Sequence, residues 1–315
     1  MNRRAFLTRA VLIGGGLAGA WWLRDNVLWR DPRVSFGPDG SSGWLAYQEP
    51  RASVPTVEVT LAGRTVRALV DSGAQYSVID RGLFDRLGMT RTFDLPLVAY
   101  GVGGGAQIGK GVTLDLQVGS MRIEGLRAAI LSLGPLAGEQ GLSAPLILGQ
   151  DLLGQAVLEL DTAGRQVRFL ERESHVPPAD VAVVAARRSG TALTTEVSVE
   201  GAVVKAVIDT GASALLALSR EAAEGAGLLD GREARRGSSI VLGGAIESAI
   251  VEARTITIGD EIHREVEAAI YADAPLPGFP AALVGMEAFE GRRMVLDLAA
   301  GRLHVSRETD LQIGR

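Results

Sequence analysis

The chain has 315 residues and a nearly balanced charge, with 32 lysines and arginines against 37 aspartates and glutamates. This balance argues against a nucleic-acid-binding protein, which usually carries a basic stripe. Because there is no cysteine, disulfides, thiolate metal sites and thiol nucleophiles are excluded. The three histidines, His175, His263 and His304, are far apart, which argues against a histidine triad or a multi-histidine metal centre. We therefore expect neither a metal nor another cofactor.

Residues 1–30 differ in character from the rest of the chain. An arginine pair, Arg3-Arg4, precedes Phe6-Leu7 and then an apolar, glycine-rich run from Ala10 to Leu23. This order is typical of a twin-arginine export signal. The run is shorter than the roughly 20 residues that span a bilayer, so an export signal that is removed and a membrane anchor that is retained both fit it. The sequence predicts export to the periplasm or cell envelope, with membrane association through this segment where it is retained.

A repeat runs through the rest of the chain. Residues 56–71 align without gaps with residues 194–209. Both segments alternate apolar and polar residues, are interrupted by a glycine, Gly63 or Gly201, and then alternate again. Alternation on both sides of a glycine predicts a β-hairpin of two half-buried strands. The sequence therefore indicates a duplicated β-rich unit.

Each hairpin leads into the same series of downstream features. An acidic turn comes first, followed by a glycine-rich hairpin tip, an apolar run that ends in glycine, a short helix and a closing hairpin. The acidic turns are Asp71-Ser72-Gly73 and Asp209-Thr210-Gly211, and the terminal glycines are Gly149 and Gly285. We predict two homologous lobes, residues 44–172 and 181–307. Residues 173–180 contain two consecutive prolines and are predicted to form an extended linker.

The residue types in the acidic turns suit the activation of water. Two carboxylates held within a few ångström cannot both ionise easily, so they share a proton, and one acts as base while the other acts as acid. With one carboxylate from each lobe, the catalytic pair is Asp71 and Asp209. The glycine in each turn allows backbone N–H groups to approach the carboxylate, and the hydroxyl residue is expected to brace one turn against the other. The residues expected to brace the pair are Ser72, Gly73, Thr210 and Gly211.

These turns and the segments after them resemble the retropepsin-like aspartic proteases. Asp71-Ser72-Gly73-Ala74 and Asp209-Thr210-Gly211-Ala212-Ser213 match the Asp-Thr/Ser-Gly-Ala signature of that family, and residues 146–153 match its apolar run and glycine ahead of a short helix. The resemblance extends over nearly all of residues 50–307. It implies an all-β protein of two closed β-barrel lobes in tandem, with short helices. It also implies an aspartic endopeptidase that hydrolyses peptide bonds with a water activated between the two carboxylates.

The resemblance further implies that the two glycine-rich tips are flaps that close over the substrate. The substrate would be a polypeptide in an extended conformation, bound by strand addition. The implied flap residues are Tyr100, Gly103, Gly104, Gly243 and Gly244. Since both lobes belong to one chain, we expect a monomer with pseudo-two-fold lobes, although pairing of lobes between two chains stays open.

Two other functions are open at this level. A peptide-binding pseudo-protease would keep the fold without the chemistry, but the presence of both aspartates argues against it. Actin-like and sugar-kinase ATPases also carry two Asp-x-Gly turns in duplicated lobes. Those folds need long crossover helices between parallel strands, whereas the intervals here show hairpin patterns and only short helical stretches.

Overall fold

The computed structural model describes residues 30–49, 52–100, 106–139, 141–172, 181–241, 244–271 and 280–306. It contains two units that repeat one order of elements. The first unit consists of β1 (Arg33–Ser35), β2 (Leu45–Ala46), β3 (Thr56–Leu61), β4 (Arg64–Val70), β5 (Ser77–Asp80), α1 (Arg81–Arg86), β6 (Phe93–Tyr100), β7 (Ala106–Val118), β8 (Met121–Leu131), a 3₁₀ turn (Gly134–Ala137), β9 (Leu146–Leu148), α2 (Gln150–Leu153), β10 (Val157–Asp161) and β11 (Gln166–Leu170).

The second unit, from residue 181 onward, repeats the order of the barrel strands and the closing hairpin, with a 3₁₀ turn in place of α2. It consists of β12 (Val181–Val184), β13 (Ala186–Ser189), β14 (Ala192–Val199), β15 (Ala202–Ile208), β16 (Leu216–Ser219), α3 (Arg220–Gly225), β17 (Ala234–Val241), β18 (Gly244–Ile258), β19 (Glu261–Tyr271), β20 (Ala282–Val284), a 3₁₀ turn (Met286–Phe289), β21 (Arg293–Asp297) and β22 (Arg302–Ser306). The linker predicted at 173–180 lies outside the described residues.

The duplicated hairpins form as the alternation predicts. β3 pairs with β4, and β14 pairs with β15, each around a two-residue turn. The turn residues have positive φ angles, 50° and 73° at Ala62-Gly63 and 49° and 94° at Glu200-Gly201. Two consecutive positive φ values are typical of the type I′ turn, whose twist matches that of the flanking strands. The glycine that interrupts the alternation is therefore the second residue of the turn.

Each unit closes into a six-stranded barrel. In the first, the strands follow the order β8-β5-β9-β4-β3-β7, and pairing between β7 and β8 closes the ring. In the second, the order is β19-β16-β20-β15-β14-β18, closed by pairing between β18 and β19. The apolar residues of the alternating strands fill the barrels, as in β3, where Val57, Val59 and Leu61 are buried. The predicted all-β fold of two closed barrels in tandem with short helices is confirmed.

A third sheet joins the two barrels. Its six strands follow the order β12-β22-β21-β10-β11-β2, so each lobe contributes its closing hairpin. At its centre β10 runs antiparallel to β21, and Glu159 lies opposite Val295, the residue at its own position in the second repeat. The pseudo-two-fold axis therefore passes between these two residues. One face of the central strands is apolar and fully buried, and it is formed by Leu158, Leu160, Met294 and Leu296.

The first lobe includes a strand that precedes its predicted start at residue 44. β1 pairs with the edge strand β8, with Val34 opposite Ile123. Three residues are too few to show a period of alternation, so no sequence pattern predicts this strand. The segment predicted as an export signal or anchor, residues 1–30, lies outside the described residues apart from Arg30. Among the residues that are described, no helix has the length and apolar character needed to span a membrane.

The joining sheet predicts a large effect for Leu296→Ala. Leu296 is fully buried and lies opposite Leu158 of the other lobe. Truncating a buried leucine leaves a cavity and lowers the free energy of unfolding by about 2–5 kcal/mol. Val203 is 69% exposed, so Val203→Ala is the control and should change it by less than about 0.5 kcal/mol. Chemical denaturation measures both, and equal effects would contradict the placement of Leu296.

Candidate active site

The two acidic turns follow the last buried residues of β4 and β15. In each lobe this strand pairs in parallel with the short strand that ends in glycine, β9 or β20. The Asp71 N–H donates to the Leu148 carbonyl at 3.0 Å, and the Asp209 N–H donates to the Val284 carbonyl at 2.9 Å. A backbone hydrogen bond therefore holds each aspartate at the same place in its barrel.

The glycines that follow β9 and β20 make this arrangement possible. A Cβ atom on Gly149 would lie 2.6 Å from the carbonyl carbon of Tyr76, and one on Gly285 would lie 2.3 Å from the carbonyl oxygen of Ala214. No side chain fits at such distances from the main chain of the acidic turn. The glycine that ends each apolar run is thus required by the close packing of the next segment against that turn.

The hydroxyl residues of the two turns hydrogen-bond across the lobes. The Ser72 hydroxyl donates to the Ile208 carbonyl at 2.8 Å and accepts the Thr210 N–H at 3.0 Å. The Thr210 hydroxyl donates to the Val70 carbonyl at 2.7 Å and accepts the Ser72 N–H at 2.9 Å. Both side chains are fully buried. Four reciprocal bonds shielded from water fix the position of one turn relative to the other.

This brace brings the two carboxyl groups into contact. A Cβ atom on Gly73 would lie 2.5 Å from Asp209 Cγ, and one on Gly211 would lie 2.6 Å from Asp71 Cγ. Each carboxyl group therefore packs on the glycine of the opposite turn, which places the two carboxyl groups side by side. Both aspartates keep part of their surface exposed to solvent. The structure thus brings together both residues predicted to be catalytic and all four predicted to brace them.

Burial raises the pKa of both carboxyl groups. For Asp209 the negative charge of Asp71 adds to the effect of burial, and its pKa lies well above the ordinary range. For Asp71 the rise is opposed by hydrogen bonds that its Oδ1 accepts from the Gly73 N–H at 2.8 Å and the Ala74 N–H at 2.9 Å. The pair therefore holds a proton at pH values where an isolated carboxyl group is ionised.

Gln150, the first residue of α2, also belongs to the site, although sequence reasoning did not single it out. Its side-chain N–H donates to the Ser72 carbonyl at 2.7 Å, and its side-chain oxygen accepts the hydroxyl of Thr191, in the second lobe, at 2.5 Å. Gln150 is only 5% exposed. The equivalent residue of the second repeat is Met286. The only sequence signal is that a polar residue stands where the other repeat has an apolar one, and several aligned positions share that signal.

The predicted flap residues lie at hairpin tips or outside the described chain. Tyr100 is the last residue of β6 and lies opposite Ala106, and Gly244 is the first residue of β18 and lies opposite Val241. Gly103, Gly104 and Gly243 lie outside the described residues. Within the described ranges, no group of three or more histidines, aspartates and glutamates is placed to hold a metal ion.

Comparison with known families agrees with this geometry. A family model described as "Aspartyl protease" matches the chain twice, at residues 57–152 and 195–288. Together these ranges span more than half of the chain, with one match in each lobe. The chain belongs to the aspartyl protease family. The predicted resemblance to retropepsin-like aspartic proteases is confirmed.

Two solved structures are similar to this aspartyl protease. A retropepsin-like aspartic protease from Rickettsia conorii is 23% identical, with 40% of this chain and 90% of that chain covered and a TM-score of 0.31. Basic 7S globulin from soybean is 11% identical, with 85% of this chain and 95% of that chain covered and a TM-score of 0.44. No curated protein sequence matches the chain.

The raised pKa of Asp209 predicts how this aspartyl protease responds to pH. A carboxyl group whose pKa is higher in the folded than in the unfolded protein stabilises the fold at low pH, and that stability is lost as pH rises through the folded pKa. In Asp209→Asn the side chain can no longer ionise, so the variant does not lose stability in this way. It should therefore have a higher free energy of unfolding than the wild type at neutral pH. The difference in the free energy of unfolding between variant and wild type should disappear below about pH 4, the pKa of an unfolded aspartate. Each unit of raised pKa corresponds to about 1.4 kcal/mol.

Asp230→Asn is the control, because its effect on stability should have the opposite sign. The Asp230 carboxylate accepts two hydrogen bonds from Arg232 at 2.9 Å, which lower its pKa. That variant should be less stable than the wild type at neutral pH, and the difference should vanish in acid. Denaturation of the three proteins between pH 3 and 8 measures both trends. A gap for Asp209→Asn that stays constant with pH would contradict the raised pKa.

Proposed function

We propose that the protein is an aspartic endopeptidase that hydrolyses polypeptides with a water held between Asp71 and Asp209. The observation that carries this proposal is the contact between two carboxyl groups, one from each lobe. Their raised pKa values support a proton shared between them, and their partial exposure gives a water molecule access to them. The family match supports proteolysis in general.

The chemistry follows from one ionised and one protonated carboxyl group. The ionised carboxylate takes a proton from the water as its oxygen attacks the peptide carbonyl carbon, while the protonated carboxyl group donates its proton to the carbonyl oxygen. The resulting tetrahedral diol collapses when the C–N bond breaks: the protonated carboxyl group gives its proton to the nitrogen, and one hydroxyl of the diol gives its proton to the other carboxylate as its C=O bond forms. The products are a carboxylic acid and an amine, and the dyad again holds one proton. No covalent bond to the protein forms.

The hairpins β6–β7 and β17–β18 support an extended polypeptide as substrate. Each adds an edge strand, β6 or β17, to a long strand of its barrel, β7 or β18, with Tyr100 or Gly244 at the tip. A peptide laid between the two tips would pair with main-chain groups, with alternate side chains pointing to either side. Because both acidic turns come from one chain, we propose that a monomer is sufficient for activity.

The two alternative functions fit the described structure less well. An actin-like or sugar-kinase ATPase needs parallel sheets with long crossover helices, whereas the longest helices in the described ranges, α1 and α3, have six residues. A pseudo-protease would need neither the buried hydrogen bonds of Ser72 and Thr210 nor two adjacent carboxyl groups whose ionisation is unfavourable. No feature of the described site favours peptide binding without hydrolysis.

Cleavage of a peptide library, followed by mass spectrometry, tests the proposal. Asp71→Asn and Asp209→Asn each remove the proton transfer that one carboxyl group performs. General acid–base catalysis by one such group typically raises the reaction rate by about 10²- to 10⁴-fold. Both variants should lose at least that much activity, whereas Asp230→Asn should cleave like the wild type. Equal cleavage by all four proteins, or no cleavage by the wild type over pH 3–8, would contradict an aspartic endopeptidase.

We propose further that the protein is exported and acts in the cell envelope. The support is the sequence of residues 1–30, where Arg3-Arg4 precedes an apolar, glycine-rich run. Replacing both arginines by lysine keeps the charge and removes the arginine pair. The double variant should accumulate in the cytoplasm while the wild type reaches the envelope, as fractionation would measure. Unchanged distribution of the variant would contradict this route.

A further inference from the structure

A continuous chain of hydrogen bonds connects the second lobe to the carboxyl group of Asp71. The Thr191 hydroxyl donates to Gln150 Oε1 at 2.5 Å, and Gln150 Nε2 donates to the Ser72 carbonyl at 2.7 Å. That carbonyl shares its peptide group with the Gly73 N–H, which donates to Asp71 Oδ1 at 2.8 Å. Since a carbonyl can only accept, the amide nitrogen of Gln150 must face Ser72, and every bond in the chain points towards Asp71.

Such a chain favours the ionised form of Asp71. A hydrogen bond to a peptide carbonyl polarises the peptide group and makes its N–H a stronger donor. A stronger donor gains more from a carboxylate than from a neutral carboxyl group, because charge-assisted hydrogen bonds are roughly twice as strong as neutral ones. The side chain of Gln150 thus stabilises the Asp71 carboxylate through the Ser72–Gly73 peptide.

Among the described residues, no side chain donates to the second acidic turn as Gln150 does to the first. Asp209 Oδ1 accepts the Gly211 N–H at 2.8 Å, as in the first turn. The residue equivalent to Gln150 is Met286, which is buried and whose thioether has no hydrogen to donate. The duplicated protein therefore differs at a position that acts on one carboxyl group and not on the other.

We propose that Gln150 is a positioning residue that makes Asp71 the ionised member of the pair and leaves the shared proton on Asp209. The proposal rests on the proposed function, because it assigns the base and the acid of the same dyad. Asp209 is the titratable group that faces Asp71 in the described chain. Asp151, next to Gln150, points instead to Ser77, whose hydroxyl it accepts at 2.7 Å.

Gln150→Met gives the first turn the residue of the second and tests the proposal. Loss of the polarising bond destabilises the Asp71 carboxylate, so formation of the singly protonated pair requires a higher pH. The acidic limb of the pH profile of kcat/KM should move up by roughly 0.5 unit. The basic limb should stay in place, because Asp71 is ionised both before and after the second proton leaves. A purely structural defect would instead lower activity at every pH.

Carbon-13 NMR titration of the aspartate carboxyl groups gives a second readout that needs no activity. The pKa of Asp71 should rise in Gln150→Met by the same roughly 0.5 unit. Gln155→Met is the matched control, since Gln155 lies just beyond α2 and outside the hydrogen-bond chain. It should leave both pKa values and both limbs of the profile unchanged. A folded Gln150→Met protein with the wild-type pKa of Asp71 would overturn the proposal.

The converse variant, Met286→Gln, keeps the test decisive if Gln150→Met does not fold. It places an amide beside the second turn, with Ser53 at the position equivalent to Thr191. The pKa of Asp209 should then fall and the basic limb should move to lower pH. An unchanged Asp209 pKa would overturn the proposal. If the wild type cleaves no peptide, the proposed function fails, while the NMR titrations still decide the role of Gln150.

Discussion

Two carboxyl groups are held together in this protein at a place where their charges cannot both be tolerated. The contact between Asp71 and Asp209 exists because the Ser72 and Thr210 hydroxyls lock their turns together through four buried hydrogen bonds. The turns in turn require the parallel pairing of β4 with β9 and of β15 with β20. Each level of the structure, from hairpin to barrel to joined lobes, contributes to that single contact.

The contact between the two carboxyl groups opposes folding, so favourable interactions elsewhere in the molecule must offset its cost. Burial raises the pKa of both aspartates, which means that ionising them in the folded protein is unfavourable. The apolar face of the joining sheet offsets this cost, because the leucines and the methionine of β10 and β21 are fully buried between the lobes. The site therefore illustrates the general exchange of stability for activity.

Much of this could be predicted from the sequence because it depends on local patterns repeated twice. The alternation around Gly63 and Gly201 identified the hairpins, and the acidic turns after them identified the aspartates. Contacts between strands or side chains that are distant in the sequence could not be predicted. β1 is too short to show a period, and the buried Glu159, held by Arg168 at 2.6 Å, gave no sign that it lies at the axis of the joining sheet. Gln150 was missed because its partners, Ser72 and Thr191, are distant in the sequence.

Duplication within one chain allows the two halves of the site to differ. In a pair of identical lobes the two carboxyl groups would be equivalent, and the proton would have no preferred position. Here Gln150 and Met286 occupy equivalent positions and act differently on the two turns. A fused protein can thereby assign a fixed role to each aspartate, which symmetry would forbid in a homodimer.

Neutron diffraction from deuterium-exchanged crystals tests the central claim most directly, because it locates the hydrogen nuclei in the dyad. At pH values just above the ordinary pKa of an aspartate, we predict one deuterium between the Asp71 and Asp209 carboxyl groups. Two carboxylates without a deuterium between them, or carboxyl groups separated beyond hydrogen-bonding distance, would contradict the account.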